Sequence, residues 1–140
     1  MPLLLEIVTP EARIFSDQVE SVVLPGSEGE MGILPAHAPL VSALQPGELR
    51  YTKGGKTTDL AVGEGLVEIT GEHARVLTDM AIEADAIDEK AVEEALARAK
   101  AALENLKSAH GSSDDEIAAT MAMIQRSTAQ LHVKRKRRTV

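Results

Sequence analysis

Along the first 84 residues, apolar positions recur with a period of two or in short bursts, and turn residues interrupt them at close intervals. Leu3-Leu4-Leu5-Glu6-Ile7-Val8 ends at Thr9-Pro10, and Val19-Glu20-Ser21-Val22-Val23-Leu24 ends at Pro25-Gly26. Further runs are Leu40 to Leu44, Leu49 to Thr52, Thr58 to Val62, Gly65 to Ile69 and Ala74 to Leu77. A period of two puts alternate side chains on one face of a strand. Many short strands with Gly and Pro between them predict an all-β domain, a sandwich or a barrel. After Asp85 the chain turns to Ala, Glu, Lys and Leu, which are strong helix formers. Val92, Leu96, Ala99, Leu103 and Leu106 are spaced as a heptad seam, and Ile117, Met121, Ile124, Thr128 and Leu131 repeat that spacing. Between them Gly111 supplies a stop, and Ser113 with Glu116 forms a capping box. The connection is short, so the two helices form an antiparallel hairpin of about 20 residues per arm.

The expected organisation is therefore α+β by segregated domains: a β-domain over residues 1–85 and a helical hairpin with a basic tail over 86–140. Two Ala-rich helices sharing one narrow seam bury little surface and are marginal alone. The hairpin must lean on the β-domain or on a partner, and such an element suits a switch between docked and extended forms.

Composition narrows the function. The 140 residues contain no cysteine, which removes disulfides, thiolate metal sites and a cysteine nucleophile. Aromatic residues are 1% of the chain, so aliphatic side chains must build the core. No apolar run approaches the roughly 20 residues of a membrane-spanning helix, and the amino terminus has no basic region of a signal peptide. The chain reads as soluble and intracellular, or peripheral to a membrane. Charge is uneven. Residues 1–85 hold 5 Lys/Arg against 14 Asp/Glu, a net of −9, and residues 86–140 hold 10 against 8, a net of +2. Five bases are consecutive, Lys134-Arg135-Lys136-Arg137-Arg138. An acidic body with no aromatic platform argues against nucleic acid as a partner.

Chemical motifs are few. Thr52-Lys53-Gly54-Gly55-Lys56-Thr57-Thr58 lacks the first glycine of a phosphate-binding loop and reads as a hairpin turn. His37, His73, His110 and His132 show no metal-ligand spacing. No carboxylate pair and no Ser–His–acid set stands out, so the expectation is no catalytic residue and no metal. The most unusual stretch is Pro25 to Leu40, in which three glycines and two acids precede an apolar segment bracketed by prolines. It reads as a rigid, exposed recognition loop.

At that stretch the chain resembles the epsilon subunit of the F-type ATP synthase, bacterial type. The resemblance runs through Ser27-Glu28-Gly29-Glu30-Met31-Gly32-Ile33-Leu34-Pro35-Ala36-His37-Ala38-Pro39-Leu40 and Gln45-Pro46-Gly47-Glu48-Leu49-Arg50. It continues through Val62-Gly63-Glu64-Gly65-Leu66-Val67-Glu68-Ile69 and reaches Ile87-Asp88-Glu89. It implies a flattened β-sandwich followed by the helix pair. It also implies a non-catalytic rotor subunit of the central stalk, seated between the gamma subunit and the c-subunit ring, that couples proton-driven ring rotation to ATP synthesis. In bacterial members the hairpin folds on the sandwich or extends into the catalytic head and blocks ATP hydrolysis.

Residue by residue, the resemblance assigns Glu28, Glu30 and Met31 to the c-ring contact, and Thr9, His37 and Ser42 to the gamma-facing side. Arg126, Lys134, Arg135, Lys136, Arg137 and Arg138 are expected to meet acidic loops of the alpha and beta subunits in the extended state. Members that bind ATP carry Ile/Leu-Asp-x-x-Arg-Ala at the start of the hairpin. Here Ala91 and Val92 replace the Arg and Ala, so no cofactor is expected. The implied location is peripheral, on the cytoplasmic face of the bacterial inner membrane, with membrane contact only through the complex. The competing expectations are a free-standing coiled-coil adaptor without enzymatic activity and a small enzyme hidden in the sandwich, which would need a deep pocket with displaced ionisations.

Overall fold

A computed structural model describes residues 3–108, 111 and 113–138, with the side chains of residues 137 and 138 excepted. Ala109, His110 and Ser112 of the expected helix connection lie outside the described residues. Ten strands precede two helices: β1 (Leu3–Val8), β2 (Arg13–Val19), β3 (Ser21–Gly26), β4 (Gly29–Ile33), β5 (His37–Leu44), β6 (Gly47–Lys53), β7 (Lys56–Val62), β8 (Gly65–Gly71), β9 (His73–Thr78), β10 (Ala81–Glu83), α1 (Glu89–Ser108) and α2 (Asp114–Arg138). A single 3-10 turn, Ala84–Ala86, joins the strands to the helices.

The strands make two layers. One layer runs β4-β3-β6-β7-β10 and the other β5-β8-β9-β1-β2, with the single pairing of Gly26 and Leu44 joining them at a corner. All pairings are antiparallel except β1 with β9. Alternation decides which side chains meet between the layers. Leu3, Leu5 and Ile7 of β1 point inward against Val22, Leu24, Leu49, Leu60, Val62, Val67, Ile69 and Val76, all at most 1% exposed. The one Phe and the one Tyr of the chain stack across the other open side, Phe15 of β2 on Tyr51 of β6 at 4.5 Å between ring centroids. Asp17 and Lys53 form an ion pair between the same two strands.

Seven of the strands match the hydrophobic runs, and three had no clear run. β2 is an edge strand that turns Phe15 and Val19 toward the core, while the Asp17 side chain on the same side is 46% exposed and pairs with Lys53, so the apolar alternation is interrupted by a charge. β4 contains two glycines and only two inward apolar groups, Met31 and Ile33; its pairing with β3 holds it extended. β10 has three residues. The stretch expected as a recognition loop is thus a β-hairpin, a tight turn and the start of β5, which begins at His37 rather than Leu40. Gly54 and Gly55, with φ of 59° and 76°, form the two-residue turn between β6 and β7, a conformation that L side chains rarely adopt.

Asp88 caps α1, its Oδ1 accepting the Ala91 N–H at 3.1 Å, and Ser113 caps α2 by accepting the Glu116 N–H at 3.1 Å. Three of the five expected α2 seam positions hold, Ile117, Ile124 and Leu131, and the other two shift by one residue. Burial falls on Ile117, Thr120, Ile124, Ser127 and Leu131, whereas Met121 is 46% exposed and Thr128 is also exposed. The reason lies in the second half of α2. Ser127, Ala129, Leu131 and Val133 are all buried, and residues two apart on a helix lie on opposite sides. One side faces α1; the other, with Val133, packs on Ala61 of β7, Ala84 and Ile87. Burial against two surfaces rotates the helix away from a simple two-helix seam.

Polar contacts complete the docking of the hairpin on the outer face of the β6–β7 layer. Lys136 Nζ donates to Glu48 Oε1 at 2.8 Å, Arg126 pairs with Asp79 at 3.3 Å, and Lys134 Nζ donates to the Ala84 carbonyl at 3.2 Å. Burial pushes the Glu48 carboxyl up, but the bonds from Lys136 and Arg50 outweigh it and hold the group below its ordinary value of 4.5. Because the folded-state value is lowered, the stabilisation is complete above 4.5. It shrinks as pH falls below 4.5 and is gone once the lowered value has been passed.

Two outcomes follow from this packing. Leu49→Ala, at a fully buried position, is expected to cost about 2–5 kcal/mol in urea unfolding. Met121→Ala on the exposed face should stay within about 0.5 kcal/mol; equal losses would contradict the core described here. Acidification from pH 7 to 3 should lower the urea midpoint of the native chain below pH 4.5, and Glu48→Gln should flatten that fall. A residual slope from Asp17 remains, since the Lys53 pair and the Gln18 N–H lower that carboxyl as well. A Glu48→Gln profile superimposable on the native one would overturn the assignment.

Candidate functional site

Three surfaces carry the residues singled out in the sequence. The first is the tip of the β3–β4 hairpin. Gly26 pairs with Gly29, so Ser27 and Glu28 form a two-residue turn, with Gly29 at φ 121°. Glu28 is exposed at the tip. Glu30 and Met31 are neighbours in an extended strand and therefore point to opposite faces. Glu30 points outward, its side chain 63% exposed, and meets Arg50 of β6 at 3.0 Å. Met31 points inward and packs against the sandwich core. The structure brings Glu28 and Glu30 together on the outside and separates Met31 from them.

The second surface is the outer face of the β5-β8-β9-β1-β2 layer. Cross-strand pairing aligns Val8 with Leu77, Leu77 with Leu66, and Leu66 with Ala43. Beside this row stands Val41, 66% exposed, and Leu66 itself is 37% exposed. An apolar row left uncovered in a sheet face suits a docking surface. Ser42 lies between Val41 and Ala43 with its side chain on the opposite, half-buried side, where its hydroxyl donates to the Ala43 carbonyl at 3.2 Å. Thr9 follows β1 at the same end of the layer. It is 8% exposed, and its hydroxyl donates to the Ala12 carbonyl at 3.2 Å. His37 pairs with Gly71 at the other end of β5, with Nδ1 2.8 Å from the Ala38 carbonyl. Thr9 and Ser42 thus share an end of the sheet that His37 does not. The Val41–Leu66 row was not singled out in the sequence; the signal for it was two apolar residues at outward positions of β5 and β8. Just before His37, Ala36 holds φ at 64°, a left-handed conformation costing about 1–2 kcal/mol, and Leu34, two residues earlier, is 63% exposed.

The third surface is the basic end of α2. Arg126, Lys134 and Lys136 contact the strand side of the molecule, as described above. Arg135 instead holds the two helices together, 2.6 Å from Glu93 and 3.7 Å from Glu89. The side chains of Arg137 and Arg138 lie outside the described residues. Every described base of this set is therefore engaged within the chain. Two residues of importance here, Glu48 and Arg50, carried no role in the sequence reading. Arg50 is the only Lys or Arg between residues 14 and 52, and that isolation in an acidic stretch was the available signal.

Nothing in these surfaces resembles a reaction centre. A groove of about 530 Å³ lies between α2 and the loops around Gln45 and Glu64, with Gln125, Thr128 and His132 on its helical wall. The groups whose ionisation is displaced, Asp17, Glu48 and Arg50, do not line it. Among the described residues, no cluster of three or more His, Asp or Glu is placed to hold a metal ion, and no helix is long and apolar enough to cross a membrane. Ile87 and Asp88, the remnant of the nucleotide motif, serve packing and the α1 cap.

Comparison with known proteins places these surfaces in context. Residues 2–84 match the family model of the ATP synthase delta/epsilon chain, beta-sandwich domain. The ATP synthase epsilon chain of Herpetosiphon aurantiacus is 40% identical over 138 residues, covering 99% of this chain and 98% of that one. The epsilon chain of Desulforamulus reducens is 45% identical over 113 residues, covering 81% and 80%. In fold, the chain is similar to a chain of the Euglena gracilis mitochondrial ATP synthase OSCP/F1/c-ring assembly, with a TM-score of 0.74 at 21% identity, covering 94% of this chain and 79% of that one. It is also similar to a chain of the Tetrahymena thermophila mitochondrial ATP synthase central stalk and c-ring, with a TM-score of 0.55 at 12% identity, covering 98% and 96%. The β-sandwich, the helical hairpin that follows it and the full-length identity to epsilon chains agree: the chain belongs to the ATP synthase epsilon-chain family.

Proposed function

We propose that this epsilon chain, a non-catalytic subunit of the ATP synthase, is a rotor subunit of the central stalk that links c-ring rotation to ATP synthesis through gamma. Its hairpin inhibits ATP hydrolysis when it leaves the sandwich. The observation that carries the proposal is the docking of the hairpin. Its contacts with the strand side include a small apolar patch and polar contacts made by Arg126, Gln130, Lys134 and Lys136. Polar contacts of this kind can be exchanged for others of the same type on a partner, which lets an extended form compete with the docked one.

The other surfaces support the same reading. The Glu28–Glu30 tip offers two acids to cationic loops of a c-ring. The Val41–Leu66 row, with Ser42 and Thr9 near one end, offers gamma an apolar face. Arg126 and the bases from Lys134 to Arg138 meet acidic loops of alpha and beta once the hairpin is released. Seated in this way, the chain is peripheral on the cytoplasmic face of the bacterial plasma membrane. Chain limits of 1–85 for the partner-binding sandwich and 86–140 for the regulatory hairpin fit this division of roles.

Two measurements test the proposal. Glu30→Lys should weaken binding of the gamma–epsilon pair to purified c-ring at least tenfold at low salt; unchanged binding removes the tip from the interface. The chain has no cysteine, so Asp79→Cys with Arg126→Cys permits a clean short bismaleimide cross-link that holds the hairpin docked. Added to a catalytic head lacking this subunit, the uncross-linked double variant should inhibit ATP hydrolysis and the cross-linked one should not. Equal inhibition by both would show that hairpin release plays no part.

A further inference from the structure

Arg50 stands between two carboxylates. Its Nη2 is 3.0 Å from Glu30 Oε2 and its Nη1 is 2.5 Å from Glu48 Oε1. Lys136 Nζ reaches the same Glu48 oxygen at 2.8 Å. The Glu48 side chain is 7% exposed, and its second oxygen, Oε2, is buried without a hydrogen bond. Two cations therefore converge on one oxygen while the other accepts nothing. From the edge strand β4 to the last turns of α2, the charges alternate in sign: Glu30, Arg50, Glu48, Lys136.

We propose that Arg50 couples the Glu28–Glu30 tip to the docking of the hairpin, so that a cationic side chain of a partner held against Glu30 loosens Lys136 from Glu48. While Arg50 is shared with Glu30, its guanidinium is held toward β4 and neutralises Glu48 only in part, and Lys136 supplies the rest. A partner Lys or Arg that engages Glu30 removes one of the two acceptors of Arg50. The guanidinium then turns wholly to Glu48, and its second N–H finds the vacant Oε2. That arrangement is a bidentate pair, the preferred geometry of arginine with a carboxylate. Lys136 is left competing for an oxygen that already has its counter-charge. Linkage makes the effect reciprocal: release of the hairpin leaves Glu48 to Arg50 alone, so Glu30 binds an external cation more tightly when the hairpin is off.

The inference links two surfaces that the proposed function treats separately. It is a property of the free chain, so it is tested without any other subunit and stands or fails apart from the stalk reading. Spin labels at Thr70→Cys on the sandwich and Lys107→Cys on the hairpin, in a chain with no native cysteine, report docked and undocked distances. Glu30→Gln should raise the undocked-to-docked ratio about two- to fivefold at low salt. The same change should have no effect in an Arg50→Gln background, nor in Arg50→Lys, which keeps the charge but cannot span both carboxylates. An equal shift in all backgrounds would assign the effect to the general field of Glu30 and overturn the role of Arg50. No shift in the native background would overturn the coupling. Lys136→Met must undock the hairpin; a docked Lys136→Met chain would show that the contact on Glu48 does not hold it.

Discussion

The arrangement of this molecule depends on how one sheet face is covered. The outer side of the β6–β7 layer presents Ala61 and the carboxylate of Glu48, both buried, and the second half of α2 lies across them. An uncovered Ala61 patch would be trivial in area. A buried carboxylate without a counter-charge would not be, because removing one partner of a buried pair leaves the desolvated charge behind. Lys136 is therefore more than an ornament of a basic tail. It stands where the covering helix ends, and together with Arg50 it neutralises the carboxylate that the helix covers.

Two kinds of stability follow from this. The sandwich is held by interdigitated aliphatic side chains from both layers, closed at one corner by the Gly26–Leu44 pairing and on the other open side by the Phe15–Tyr51 stack. Each buried leucine there contributes about 2–3 kcal/mol, and no water can substitute for its neighbours. The hairpin is held by Val133, Ala84 and Ile87, together with polar groups that water can satisfy. A rigid body with a loosely held arm is what a subunit needs if it must transmit force and also change shape, since elements that move come from the low-stability part of a fold.

The period-two runs located the strands whose inward positions are uniformly apolar, such as β1 and β7, because burial there demands alternation and little else. They passed over β2 and β4, whose apolar alternation is interrupted by Asp17 or flanked by glycine, since those strands are held extended by their neighbours rather than by their own pattern. The helices were legible, but the seam of α2 was legible only at Ile117, Ile124 and Leu131. A heptad reading assumes one partner, and α2 has two, which moved burial from Met121 and Thr128 to Thr120 and Ser127. At the surfaces, Glu28 and Glu30 were visible as exposed acids in an unusual segment. Glu48 and Arg50 were not, because their importance comes from β6 passing beneath the end of a helix 88 residues further along the chain.

The same geometry separates the tail bases by what they would do if the hairpin moved. Arg126, Lys134 and Lys136 reach to Asp79, the Ala84 carbonyl and Glu48, all on the strand side of the molecule, whereas Arg135 reaches to Glu89 and Glu93 on α1. Lifting the hairpin from the sheet with its arms together breaks the first three contacts and spares the fourth. Separating the arms breaks the fourth as well. The positive charge exposed at the end of α2 therefore rises in two steps. The first step would accompany release from the sandwich, and the second would accompany separation of the arms. Neighbouring bases near the end of α2 thus engage different parts of the molecule, because a helix turns each neighbour toward a different partner.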